Sequence, residues 1–225
     1  MSMPLTIPGQ IGTGKETING VSQTNVYVQE LGAVDTLDAD GICVGATATG
    51  AATLSATGAL TTDGVATFDV ARGVSITSAG TETATFTITG TDNNGNTVVE
   101  EVAGPDATTV YSKKTFKTVT SIAVDGATVA TGGVNVGSSN VIGYDYRLAD
   151  TGKALGVFVD GVPETTLTTV AGLTATGTST ATTADVRGTF TPNTAPNGAK
   201  YFTAVMAIEA GASYNELNGA SQYQG

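Results

Sequence analysis

An all-β fold, an antiparallel β-sandwich of immunoglobulin-like or jelly-roll-like kind with an extended N-terminal arm, is predicted by three features of the sequence. Charged residues supply only 13% of the 225 positions, about half the share of an ordinary soluble domain. Glycine fills 30 positions, with threonine and alanine filling many others. Such a mixture suits half-buried strands and tight turns and weakens long helices. Finally, runs of period two recur about every ten residues with turn residues between them, the spacing of a sandwich or barrel.

The first 22 residues combine glycines, two prolines and the scattered Ile7, Ile11 and Ile18. Neither a helical nor a strand period holds there, so this stretch is expected to be an extended arm. Thr24-Asn-Val-Tyr-Val-Gln-Glu-Leu31 then opens the sandwich, expected over residues 23–209 either as one unit or as two packed β modules, 23–143 and 144–209. Residues 45–64 are Ala/Thr/Gly-rich, with Leu54 and Leu60 the only core anchors, and read as irregular strand or long loop.

The pattern is clearest over residues 65–143. Thr67-Phe-Asp-Val70 and Val74-Ser-Ile-Thr77 alternate apolar with polar, separated by Arg72-Gly73. Thr85-Phe-Thr-Ile-Thr-Gly90 sets Phe86 and Ile88 on one face. Asn94-Gly95 predicts a hairpin to a return strand from Thr97 to Val102, which Gly104-Pro105 ends. Further strands are expected over 109–112 and 115–125. In the second, Phe116, Ile122 and Val124 share one parity and Val119 takes the other, so a bulge is predicted near Thr118–Thr120. Gly132-Gly133 then turns the chain into Val134-Asn-Val136.

Beyond residue 143, strands are predicted over 155–160, 166–170, 186–190 and 201–208, with 174–183 a low-complexity loop. The strand at 201–208 is apolar on both faces and is expected to be central and covered on both sides. Residues 210–225 form a small, polar C-terminal tail.

The net charge of −11 and sequence pI near 4.1 disfavour nucleic acid as a partner, because an acidic surface repels phosphates. Lys113, Lys114 and Lys117 are the only basic cluster and read as a solvated face. The start Met1-Ser-Met-Pro-Leu-Thr-Ile-Pro-Gly-Gln10 has neither the basic nor the apolar region of a signal peptide. No apolar run approaches membrane-spanning length, so no membrane partner is expected.

Histidine is absent, which removes Ser-His-Asp and Cys-His triads and histidine metal sites at once. Cys43, the single cysteine, is expected to be a small buried apolar residue. Gly12-Thr-Gly-Lys15 lacks the spacing of a phosphate loop. Asp92-Asn-Asn-Gly-Asn96 lacks the glycine and glutamate that a calcium loop needs and reads as a hairpin. Glu100 and Glu101 point to opposite faces of one strand and cannot pair by themselves. Asp35, Asp38 and Asp40 read as solvated loop charge. No catalytic residue, metal site or cofactor is expected.

Across Arg72-Gly-Val-Ser-Ile-Thr-Ser-Ala-Gly80, Thr85-Phe-Thr-Ile-Thr-Gly-Thr-Asp-Asn-Asn-Gly-Asn96, Glu101-Val-Ala-Gly-Pro105 and Lys114-Thr-Phe-Lys-Thr-Val-Thr-Ser-Ile122, the chain resembles a β module of tailed-phage virion proteins, among them capsid decoration (cement) proteins. Gly188-Thr-Phe-Thr-Pro192 and Ala195-Pro-Asn-Gly198 resemble such proteins too. The resemblance implies a virion protein assembled in the host cytoplasm, a homo-oligomer, often a trimer, seated on the outer capsid surface with the major capsid protein as partner. Ile7, Ile11 and Ile18 are the candidate partner contacts. The rival reading is a receptor- or glycan-binding module of a head or tail fibre, disfavoured by the lack of tryptophan and by 6% aromatics. A polysaccharide hydrolase would need a carboxylate pair that the sequence does not place.

Overall fold

The computed structural model describes residues 17–18, 21–22, 24–128, 132–173 and 185–209. Ile7, Ile11, Gly12–Lys15, the 174–183 loop and the C-terminal tail lie outside them. The sequence's alternations become antiparallel strands, and the only helical element described is a 3-10 turn, Thr151–Lys153.

Within the expected arm, β1 (Thr17–Ile18) pairs with β2 (Val21–Ser22), so Ile18 lies in a short hairpin. The long strand β3 (Thr24–Ala33) follows. The Ala/Thr/Gly stretch yields β4 (Cys43–Ala46), β5 (Ala52–Thr53) and β6 (Thr61–Thr62). Leu54 is buried and Leu60 packs against the same core, as the sequence suggests. After these come β7 (Val65–Ser78), β8 (Thr85–Thr91), β9 (Thr97–Ala103), β10 (Thr109–Tyr111), β11 (Phe116–Val124) and β12 (Val134–Gly143). The rest are β13 (Ala154–Val159), β14 (Val162–Pro163), β15 (Leu167–Ala171), β16 (Gly188–Pro192) and β17 (Tyr201–Glu209).

Two sheets pack as a sandwich. The larger has eleven strands along the path β15-β16-β12-β7-β11-β8-β9, with β4, β5, β6 and β10 attached to it. The smaller has the order β14-β13-β17-β3. One core, around Phe68, Ile76, Phe86, Ile88, Phe116 and Ile122, is drawn from the larger sheet and its connections. The other lies between the sheets, where Val70, Ile142, Tyr144 and Phe190 meet Val157, Phe202, Ala204 and Met206. Burying each valine, isoleucine, phenylalanine or methionine among them contributes about 1.5–3 kcal/mol.

Four sequence expectations change in detail. Arg72-Gly73 does not separate two strands, because β7 runs unbroken through both. Asp69 neutralises the Arg72 guanidinium, with Nε 2.8 Å from Oδ1, and Gly73 leaves room for Ser139, whose Oγ would lie 2.7 Å from an added Cβ. Both neighbours slip register here, β11 between Phe116 and Thr118 and β12 between Ser138 and Ile142. The expected Val134–Val136 strand extends to Gly143. Its Gly-Ser-Ser centre, which carries no apolar alternation, is buried under the 35–42 connection, with Ser138 N donating to Asp38 O at 2.7 Å. An added Cβ at Gly137 would stand 1.9 Å from Asp38 O.

The third change concerns β17. It is central in its sheet, flanked by β13 and β3, yet only its Phe202, Ala204, Met206 and Ile208 face is buried, while Tyr201 is 52% exposed. The fourth is the 92–96 hairpin, which is a five-residue loop in which Gly95 alone has positive φ, at 77°. The Asp92 carboxylate accepts from the backbone N–H groups of Asn94 and Asn96 at 2.8 and 2.9 Å. The predicted bulge in β11 is present, with shifts at 116–118 and 119–121 that turn Phe116, Val119 and Ile122 all inward.

Two glycines test this geometry. Gly95→Val forces a β-branched residue into the left-handed region and should cost about 2 kcal/mol. An added Cβ at Gly90 would lie 1.9 Å from Thr118 O, so Gly90→Ala should cost about 3 kcal/mol or more. Equilibrium denaturant unfolding of both variants checks the values and their order.

Candidate functional site

Burying a charge is favourable only when a partner replaces water, so the buried charged groups show where the chain has invested specificity. The parity of β9 turns Val98, Glu100 and Val102 inward together. Glu100 is fully buried and its two carboxylate oxygens accept from Lys113 N at 2.7 Å and Lys114 N at 2.8 Å. Burial pushes Glu100 up to about 7, opposed by those two N–H donors and by the Lys114 charge. Glu101 lies on the other face, as the sequence predicts, and no pair forms.

The lysine cluster is not the solvated face expected of it. Lys113 is exposed, but Lys114 is buried with Nζ donating to Val99 O at 2.8 Å, and burial lowers its pKa. Lys117 Nζ donates to Asp69 O. Beside Lys114, Asp185 Oδ2 accepts from Thr115 N and Thr115 Oγ1 at 2.9 and 2.7 Å, and Oδ1 accepts from Arg187 N. Arg187 in turn pairs with the buried Asp92, tying the 92–96 hairpin to the entry of β16. Asn93 donates to Asp145, which also accepts from Tyr27 Oη. Gln29 of β3 donates to Gly143 O at 3.1 Å. Burial, then the Asp145 charge, raises Tyr27 to about 12. One polar seam therefore crosses from the larger sheet to the smaller.

These groups are committed to holding strands and loops together. Among the described residues no group of three or more acidic, cysteine or histidine side chains could hold a metal. Asp35 and Asp40 are exposed loop residues and Asp38 is partly covered, with burial raising its pKa. A hollow of about 260 Å³ is lined by Asp35, Phe68, Asp69 and Arg72, and the Arg72–Asp69 ion pair forms part of its wall. Cys43 is buried, as expected, and burial pushes its thiol up to about 11.

The open chemistry is on the outside of the smaller sheet. Inward residues of β3 and β17 leave Val26, Val28, Glu30, Thr203, Val205 and Ala207 on the other face. Registers align Pro163, Phe158, Thr203 and Glu30 in one row, Gly156, Val205 and Val28 in the next, then Ala207 and Val26. Val26 is 57% exposed, and Val28, Phe158, Val205 and Ala207 are half-buried. On a chain of net charge −11, these rows carry one ionisable group, Glu30. This band is the candidate interaction surface among the described residues. The expected contact Ile18 sits in the hairpin that leads into this sheet. Sequence parity could have located both the face and Glu100, whereas the Arg187–Asp92 pair joins residues 95 apart and has no local signal.

Compared with known proteins, the chain matches no family model, no curated protein and no solved structure.

Two measurements test the seam. Because folded Glu100 holds its proton to about pH 7 and the unfolded chain releases it near 4.5, stability should fall as pH rises between those values, by up to about 3 kcal/mol. Glu100→Gln should flatten that slope in unfolding curves taken across the window. Arg187→Ala should cost about 3–5 kcal/mol by stranding Asp92, and a double-mutant cycle with Asp92→Ala should show strong coupling between the two.

Proposed function

We propose that this protein is a non-enzymatic structural component of a tailed-phage particle, which decorates and stabilises the capsid by binding across neighbouring major capsid protein subunits on its outer surface. The observation that carries the reading is the nearly chargeless apolar face of the smaller sheet on an otherwise acidic chain. The resemblance of residues 72–122 to a phage virion β module supports it. So does the engagement of Glu100, Asp185, Arg187 and Asp92 in structural contacts, which leaves them unsuited to acid–base work.

A protein that binds only the assembled lattice stabilises it by mass action. Repetition over many symmetry-related sites multiplies a modest contact, more so if the protein is a trimer. Acidic surroundings steer the face away from nucleic acid and toward a neutral or basic protein surface. The fibre reading, binding a receptor or glycan, draws on one feature: Tyr111 and Tyr201 are both more than half exposed.

Mixing the purified protein with undecorated, expanded capsids should give saturable binding at a fixed ratio to the lattice and a higher capsid melting temperature. Val26→Asp, at an exposed position where folding tolerates change, should weaken occupancy about tenfold or more. Absence of binding would overturn the capsid reading, and binding to a glycan array instead would favour the fibre reading.

A further inference from the structure

Two carboxyl groups and one amine lie buried together where β9 meets the 113–115 turn and the approach to β16. Lys114 is 2% exposed, Glu100 0% and Asp185 1%, and no other lysine is buried among the described residues. The backbone sets the three around each other. Lys114 N donates to Glu100 Oε2 at 2.8 Å, and the next amide along the chain, Thr115 N, donates to Asp185 Oδ2 at 2.9 Å. Each carboxyl group is therefore held by one of two consecutive amides, and the lysine side chain springs from between them. Its Nζ donates to Val99 O at 2.8 Å, on the residue before Glu100. Each of the three charges acts on the other two.

Held this closely, the groups cannot serve an outside substrate, but they are placed to react with one another. We propose that Lys114 and Asp185 condense into an amide, an intramolecular cross-link between the 113–115 turn and the approach to β16, with Glu100 as proton donor. The Nζ–Cγ bond forms, the Cγ–Oδ1 bond breaks, and that oxygen leaves as water with one proton from Nζ and one from Glu100. Nothing is oxidised or reduced, and no co-reactant is needed. The donors around Asp185 suit this course. Oδ2 accepts from both Thr115 N and Thr115 Oγ1, two fixed dipoles that stabilise charge developing on an oxygen under attack, and it stays as the amide oxygen. Oδ1 accepts from Arg187 N and is the oxygen that departs. The hydrogen bond to Val99 O survives, since the amide nitrogen keeps one hydrogen. Burial favours both reactive forms. It lowers the Lys114 pKa, which enlarges the share of neutral amine, and pushes Glu100 up to about 7, which keeps its proton available. A buried ion pair also carries a desolvation penalty that a neutral amide avoids. The bond needs no capsid and forms in the isolated chain, so its test is separate from that of the capsid reading.

Mass spectrometry of the full-length protein as purified tests the cross-link. The intact chain should be one water lighter than its sequence, and proteolysis should release one branched peptide joining Lys114 to Asp185. Lys114→Arg and Asp185→Ala should each restore the full mass. Glu100→Gln should slow the loss of water about a hundredfold or more, read in freshly made protein as a full-mass species that converts with time. A wild-type chain of full mass, a water lost at any other residue, or a deficit kept in Lys114→Arg would overturn the proposal, and an undiminished rate in Glu100→Gln would overturn the role of Glu100. The first readout uses the unaltered chain, so it holds even where a variant fails to fold.

Discussion

The pairing of Val65–Ser78 with Val134–Gly143 is the constraint on which the other strands depend. Both strands are long enough to serve two cores, giving Ile76, Val134 and Val136 to one and Val70 and Ile142 to the other. A regular ladder cannot do this, because successive side chains alternate faces and the sheet must change direction between the cores. The change is made at Arg72-Gly73, where the register slips against both neighbours. Placing an arginine there demands a counter-charge, and Asp69, three residues earlier on the same strand, supplies it. The hinge between the cores is thus an ion pair and an absent side chain, both encoded within five residues.

The polar seam solves the complementary problem of fixing which loops meet. Apolar contacts tolerate many arrangements of similar volume, whereas Asp185 engages Thr115 through one oxygen and Arg187 through the other. Breaking such a contact costs more than forming it gains, since the remaining group is left buried without water. The 92–96 hairpin, the Lys113–Thr115 turn and the approach to β16 are consequently held to one another.

Local alternation was enough to read Phe86 and Ile88, the return strand after Gly95 and the bulge in β11, because these depend on near neighbours. Where a strand is polar and small, as at Gly137-Ser138-Ser139, its identity comes from a connection about a hundred residues away, and no window of sequence reveals it. Lys114 read as solvated from its place in a lysine cluster, yet burial decides its setting, with Glu100 and Asp185 pulling against it. The outer face of the smaller sheet was half legible. Tyr201 and Val205 showed that β17 has two apolar faces, but their exposure follows from the absence of a third layer among the described residues.

The meeting of Thr24 with Glu209 at one corner of the smaller sheet also determines how the molecule bears mechanical load. Tension applied through the chain's two ends would peel β17 from β3 one hydrogen bond at a time, starting at that corner, the weakest way to load a ladder. Tension applied across the sheet's face spreads over both strands together. A molecule built this way resists being pulled off by its surface far better than being drawn out by its ends.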